Sequence, residues 1–176
     1  MARKKTNPRR IPIARRDVNT DAVIEEAMKD DMAHAWLLTA DALVNQEHIS
    51  PDEISCFADA VNRYIEKGSN QGKEDISRAE KMVATKKPRV DPYYVRSPYD
   101  LEKFKKKVER IALHTGLCVI CLGLESTGKF SEEDLKRVFF AADLTLAEID
   151  SGMNSYEYIE RELLNKAVKL EMIKDE

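Results

Sequence analysis

The sequence predicts an all-α protein: six helices in two related three-helix units packed on each other, preceded by a disordered, basic N-terminal arm. Three observations predict it. Apolar residues recur at steps of three and four along most of the chain, the spacing that gathers them on one helix face. Serine followed by proline or acid, the signature of a capped helix start, stands at several breaks in that spacing. Six Gly and six Pro in 176 residues leave little of the turn chemistry that a β-rich chain needs. Hydrophobic residues at 43% and charged residues at 35% suit helices with one dry and one wet face.

Residues 1–16 carry two prolines, seven Lys/Arg, no acid and no helical period. Self-repulsion and the lack of apolar surface predict an arm without fixed structure. The first three-helix unit spans 17–84. Its first helix is expected from about Thr20 to Gln46, with Val23, Ile24, Ala27, Met28, Met32, Ala35, Trp36, Leu38, Thr39, Ala42 and Leu43 inward. Ser50, Pro51 and Glu53 form a capping box with proline at the first helical position, opening a second helix that Gly68 ends. A weaker third helix runs from about Lys73 to Ala84. Residues 85–97 hold proline without helical period and read as an extended connector.

The second unit spans 98–176. Ser97-Pro98-Tyr99-Asp100 repeats the cap logic for a fourth helix running to about Leu124. Ser131 caps a fifth, ending near Ser151-Gly152, and Asn154-Ser155 a sixth that continues to about Ile173. An offset of 81 lays Trp36 on Leu117, Leu43 on Leu124, Ser50 on Ser131, Ile54 on Leu135 and Phe57 on Val138. Agreement of caps and apolar positions predicts a duplication. One such unit alone has a marginal core, so the two are expected to pack through their long first helices.

The uncharged stretch 111–124 falls short of the roughly 20 residues that span a bilayer, and the basic start lacks the apolar region of a secretory signal. The expectation is a cytoplasmic protein with no membrane partner, whose Cys56, Cys118 and Cys121 stay reduced. The net charge of −3 hides segregation: residues 17–80 carry −10, 81–110 carry +6 and 125–176 carry −6. Any partner meets faces of different sign.

Gly123 to Phe130 matches the phosphate-loop pattern G-x-x-x-x-G-K but has Phe130 where the magnesium-binding hydroxyl belongs. The helical period running into it from Leu101 argues for a helix end at Gly128 instead. His114, Cys118 and Cys121 share a helix face, but no second ligand pair accompanies them, so buried small side chains are expected and no metal or other cofactor. His34 and His48 show no partner at a recognisable spacing. With no nucleophile arrangement either, the chain is not expected to be an enzyme or to have a small-molecule substrate.

The candidate contacts to nucleic acid or another anionic partner are the arm's Lys4, Lys5, Arg9, Arg10, Arg15 and Arg16. A second set, Lys86, Lys87, Arg89, Arg96, Lys105 and Lys106, is interleaved with Tyr93 and Tyr94. Basic residues neutralise phosphates, and aromatic residues among them can stack bases of a single strand. Conversely, Asp17, Asp21, Glu25, Asp31, Asp52 and Asp59 can offer an acidic surface to a basic protein groove.

The opening KKTNPRRIP, the helix AHAWLLTADAL and the segment SEEDLKRVFFAADLTLAEIDSG resemble short uncharacterised proteins of bacterial prophages, notably of Firmicutes; the likeness is strongest over residues 4–13 and 131–152. The resemblance implies a mobile-element setting in a bacterial host and brings no catalytic residues with it. Small binding proteins that block host defences, anti-CRISPR proteins among them, belong to that setting by analogy. The expected function is therefore a phage- or prophage-encoded, non-enzymatic inhibitor of a nucleic-acid-directed defence such as a CRISPR effector. The alternative is a nucleic-acid-binding accessory protein using the arm and the Tyr/Lys/Arg connector.

Overall fold

A computed structural model describes residues 20–67, 73–86, 98–168 and 170, excluding the side chains of 20–26, 28–29, 73–74 and 98–101. The arm 1–16 and most of the connector lie outside the described residues. Within them the chain is six helices and no strand: α1 (Thr20–Asn45), α2 (Pro51–Glu66), α3 (Lys73–Met82), α4 (Pro98–Glu125), α5 (Glu132–Asp150) and α6 (Tyr156–Asn165).

Local chemistry sets the helix ends. The Ser50 hydroxyl accepts from the Glu53 backbone N–H, and the Glu53 carboxylate accepts in return from the Ser50 backbone N–H. Ser131 and Asp134 build the same reciprocal pair at the start of α5. Ser155 caps α6 by accepting from the Tyr158 N–H at 3.2 Å. At the far end of α5, Gly152 takes φ +75°, and the Met153 N–H donates to the Glu148 carbonyl, closing the last turn back on itself.

Two helices stop earlier than the sequence predicts. α3 ends at Met82, and Thr85 turns in to donate its hydroxyl hydrogen to Asp143 on α5 at 2.9 Å. α6 ends at Asn165 rather than near Ile173. Ala167 adopts φ +60°, the Ala167 N–H donates to Leu164, the Val168 N–H donates to Leu163, and Val168 folds back into the core. That is the same closing turn as at Gly152, made by a residue with no sequence signature for it.

The long helices α1 and α4 form the most extensive pair in the molecule, and the other four pack across them. α2 and α3 lie mainly on α4, while α5 and α6 lie mainly on α1. Each half thus covers the long helix of the other half and makes only a minor contact with its own. One core results, joining Trp36, Leu43, Ile54 and Val61 to Leu117, Leu124, Val138 and Ile159. The pairs Trp36/Leu117, Leu43/Leu124, Ile54/Leu135 and Phe57/Val138, aligned by the 81-residue offset, are buried at both positions.

Candidate functional site

Of the residues expected to meet an anionic partner, Lys4, Lys5, Arg9, Arg10, Arg15, Arg16, Lys87, Arg89, Tyr93, Tyr94 and Arg96 lie outside the described residues. Lys86, Lys105 and Lys106 are exposed. Lys105 borders a cleft of about 350 Å³ together with Asp30, Asp31 and Glu109, so it stands among carboxylates. Lys106, one residue on, points about 100° away around α4 and faces solvent.

The same cleft holds a cluster that the sequence reading missed. Asp31 is buried, and its Oδ1 lies 3.6 Å from His34 Nδ1, so His34 does have a carboxylate partner, one helical turn earlier. The His34 ring stacks on Tyr156 with centroids 3.8 Å apart and 12° between planes. Burial, reinforced by the Asp31 charge, pushes the Tyr156 phenol up to about 12, so it stays protonated at neutral pH. Asp31 Oδ2 has no hydrogen-bond partner among the described residues. An i, i+3 spacing of Asp and His is the only sequence signal for the pair, and it is a common one. The cluster ties α1 to the start of α6. No serine, threonine or cysteine is among the described residues lining the cleft.

The Gly123–Phe130 segment has no strand before it. Gly123 lies inside α4, and the N–H groups of Ser126, Thr127 and Gly128 donate to the carbonyls of Leu122, Leu124 and Glu125. Those amides close the helix end and are not turned toward a phosphate. His114 and Cys118 are buried with Nε2 and Sγ 3.6 Å apart, and Cys121 beside them is fully enclosed. Burial pushes the Cys121 thiol up to about 12, far from the thiolate that binds metal or attacks a substrate.

The outer face of α5 and α6 differs from the rest of the surface. Phe140, Leu144, Met153, Tyr158 and Leu164 are the exposed large hydrophobic side chains among the described residues, each between 48% and 78% exposed. All five lie on these two helices or the turn between them. Phe140 and Leu144 are one turn apart on the same face of α5. Tyr158 lines a groove of about 390 Å³ between α1, α5 and α6 with Ala141, Thr145 and Glu148. Glu133, Glu148, Asp150, Glu157 and Glu160 are exposed on the same two helices. In the groove, Asp41 accepts from Asn45 at 2.6 Å, and the Lys166 ammonium donates to Asn45 at 2.7 Å, anchoring the turn that ends α6.

Periodicity foretold which faces of α5 and α6 are buried but not this one, because a single exposed apolar residue on a helix is ordinary. What sets these five apart is that they all fall within one stretch of the chain, 140–164. No known protein family, curated protein or solved structure matches the chain.

Proposed function

We propose that the chain is a phage- or prophage-encoded, non-enzymatic binding protein that inhibits a host nucleic-acid-directed defence effector of the CRISPR type. It does so by occupying the effector's basic, nucleic-acid-handling surface. The observation that carries this reading is the placement of Phe140, Leu144, Met153 and Tyr158 in the open, on helices that also expose Glu148, Asp150 and Glu157. Exposed apolar patches mark interaction surfaces, and apolar centres with polar rims are how protein interfaces are built. The carboxylates steer the face toward a basic partner and against a bare phosphate backbone. The prophage resemblance over residues 131–152, which include all of α5, supports the same setting.

The test is cleavage of target DNA by purified CRISPR effectors, with the chain in excess. The parent protein is expected to form a stable complex with a susceptible effector and suppress cleavage, and deletion of residues 2–16 is expected to leave this intact. Phe140→Glu combined with Leu144→Glu changes only exposed positions and is expected to abolish it. Undiminished inhibition by that double variant contradicts the proposal. A DNA or RNA mobility shift that vanishes on deleting residues 2–16 assigns the accessory role instead, which the open position of Lys106 favours.

A further inference from the structure

A recess of about 500 Å³ lies between the C-terminal half of α2 and the turn joining α4 to α5. We infer that it binds a compact, phosphate-bearing polyanion of the nucleoside polyphosphate class. The inference is independent of the α5–α6 face and departs from the expectation that the chain has no small-molecule ligand.

Arg63, Lys67 and Lys129 converge on this recess, and no Asp or Glu is among the described residues that line it. Elsewhere among the described residues, Arg78 faces Glu125, Arg110 faces Asp150, Arg137 faces Glu47 and Lys136 faces Glu132. Arg63, Lys67 and Lys129 form no ion pair with a described carboxylate. Glu53, whose carboxylate feels the Lys129 charge, is committed to Ser50. Three cations gathered without a counter-charge repel one another, and a ligand carrying several negative charges relieves that repulsion. The negative end of a helix favours basic residues, which accounts for Arg63 and Lys67 at the end of α2. It does not account for Lys129, which reaches the same recess from a different turn.

The side chains are also held in place. Arg63 Nε donates to the Asp59 carbonyl at 3.1 Å, orienting the guanidinium and leaving both terminal nitrogens to form a bidentate contact with phosphate. Lys129 Nζ sits 5.2 Å from the centre of the Phe57 ring, which in turn packs edge-on against Phe130. Gly128, at φ +67°, makes the turn that delivers the lysine. The Gly-Lys pair therefore serves charge recognition through side chains, without a backbone cradle. Tyr64 lines the recess as well and offers a ring to a nucleobase.

Cys56 on the rim is exposed while Cys118 and Cys121 are buried, so its alkylation by neutral iodoacetamide reports occupancy of the recess alone. Inorganic triphosphate and ATP are the probes, added without divalent metal at low salt. Either is expected to slow the reaction saturably, by roughly tenfold at ten times its Kd. Arg63→Ala and Lys129→Ala are each expected to weaken protection about tenfold, and Lys81→Ala, an exposed lysine elsewhere, to leave it unchanged; circular dichroism checks that the variants fold. Equal Kd values for the two probes assign the recess to the phosphates alone, and tighter ATP binding adds the nucleoside. The inference fails if neither probe protects Cys56, if protection survives both alanine variants, or if it disappears only when residues 2–16 are removed.

Discussion

Trp36 is 1% exposed, and its indole Nε1 has no acceptor among the described residues. Two opposed terms therefore meet in one side chain: a large buried apolar area and an N–H removed from water without compensation. Area wins for truncation. Trp36→Ala is expected to cost about 3–5 kcal/mol by urea denaturation, as for other buried aromatics. Trp36→Phe should cost much less, because it keeps a ring and removes the stranded donor; equal losses in the two variants would contradict the placement. The capping carboxylates add a pH dependence. Hydrogen bonds from the Ser131 hydroxyl and backbone hold the Asp134 carboxyl below its usual value, and Ser50 does the same for Glu53. A lowered acid contributes stability above its unfolded pKa, near 4, and loses it as pH falls through the folded value. Ser131→Ala is expected to cost about 1 kcal/mol at neutral pH and to flatten the fall of Tm between roughly pH 5 and pH 3. An unchanged acid limb would show that the cap is not formed in solution.

Helix contacts turn on two glycines of α4. A Cβ at Gly116 would meet Ala35 Cβ of α1 at 3.0 Å, and one at Gly123 would meet Val61 of α2 at 2.8 Å from its Cγ2 and 3.0 Å from its Cα. A mid-helix Gly→Ala change ordinarily stabilises by about 1 kcal/mol. At Gly123 the crowding reaches backbone, so the sign is expected to reverse, with Gly123→Ala losing about 1–3 kcal/mol in urea denaturation. A more stable variant would mean that α2 and α4 are further apart than described. Gly123 was legible in the sequence only as part of a phosphate-loop pattern, because pattern matching carries no information about what lies opposite a residue. Helix starts were legible to the residue at Ser50 and Ser131, where a hydroxyl cap announces itself, and to the pair Asn154-Ser155 at α6, where Ser155 is the cap. The stop of α6 was not, because Ala167 takes a left-handed conformation that glycine usually marks. His34 failed for a similar reason: its partners Asp31 and Tyr156 come from two helices far apart in sequence, and only the nearer one leaves a trace in spacing.

At the scale of the whole molecule, the sequence predicted two units packed on each other through their long helices, and α1 and α4 do form the central pair. The crossing of α2 and α3 onto α4, and of α5 and α6 onto α1, was not legible, since an amphipathic helix states that it has a buried face but not whose. That packing is reciprocal: each half covers the long helix of the other. It also bears on the proposed function. A protein that works by presenting the outer face of α5 and α6 needs those helices held rigidly, and here the first half's α1 is what holds them. Neither half retains its main packing surface without the other, so the described helices should unfold as one unit. Native-state hydrogen exchange on the full chain tests this most directly. The slowest amides of α2 and α5 are expected to share one opening free energy and one denaturant dependence. Exchange in which α5 and α6 open well before α1 and α2 would contradict a single interlocked core.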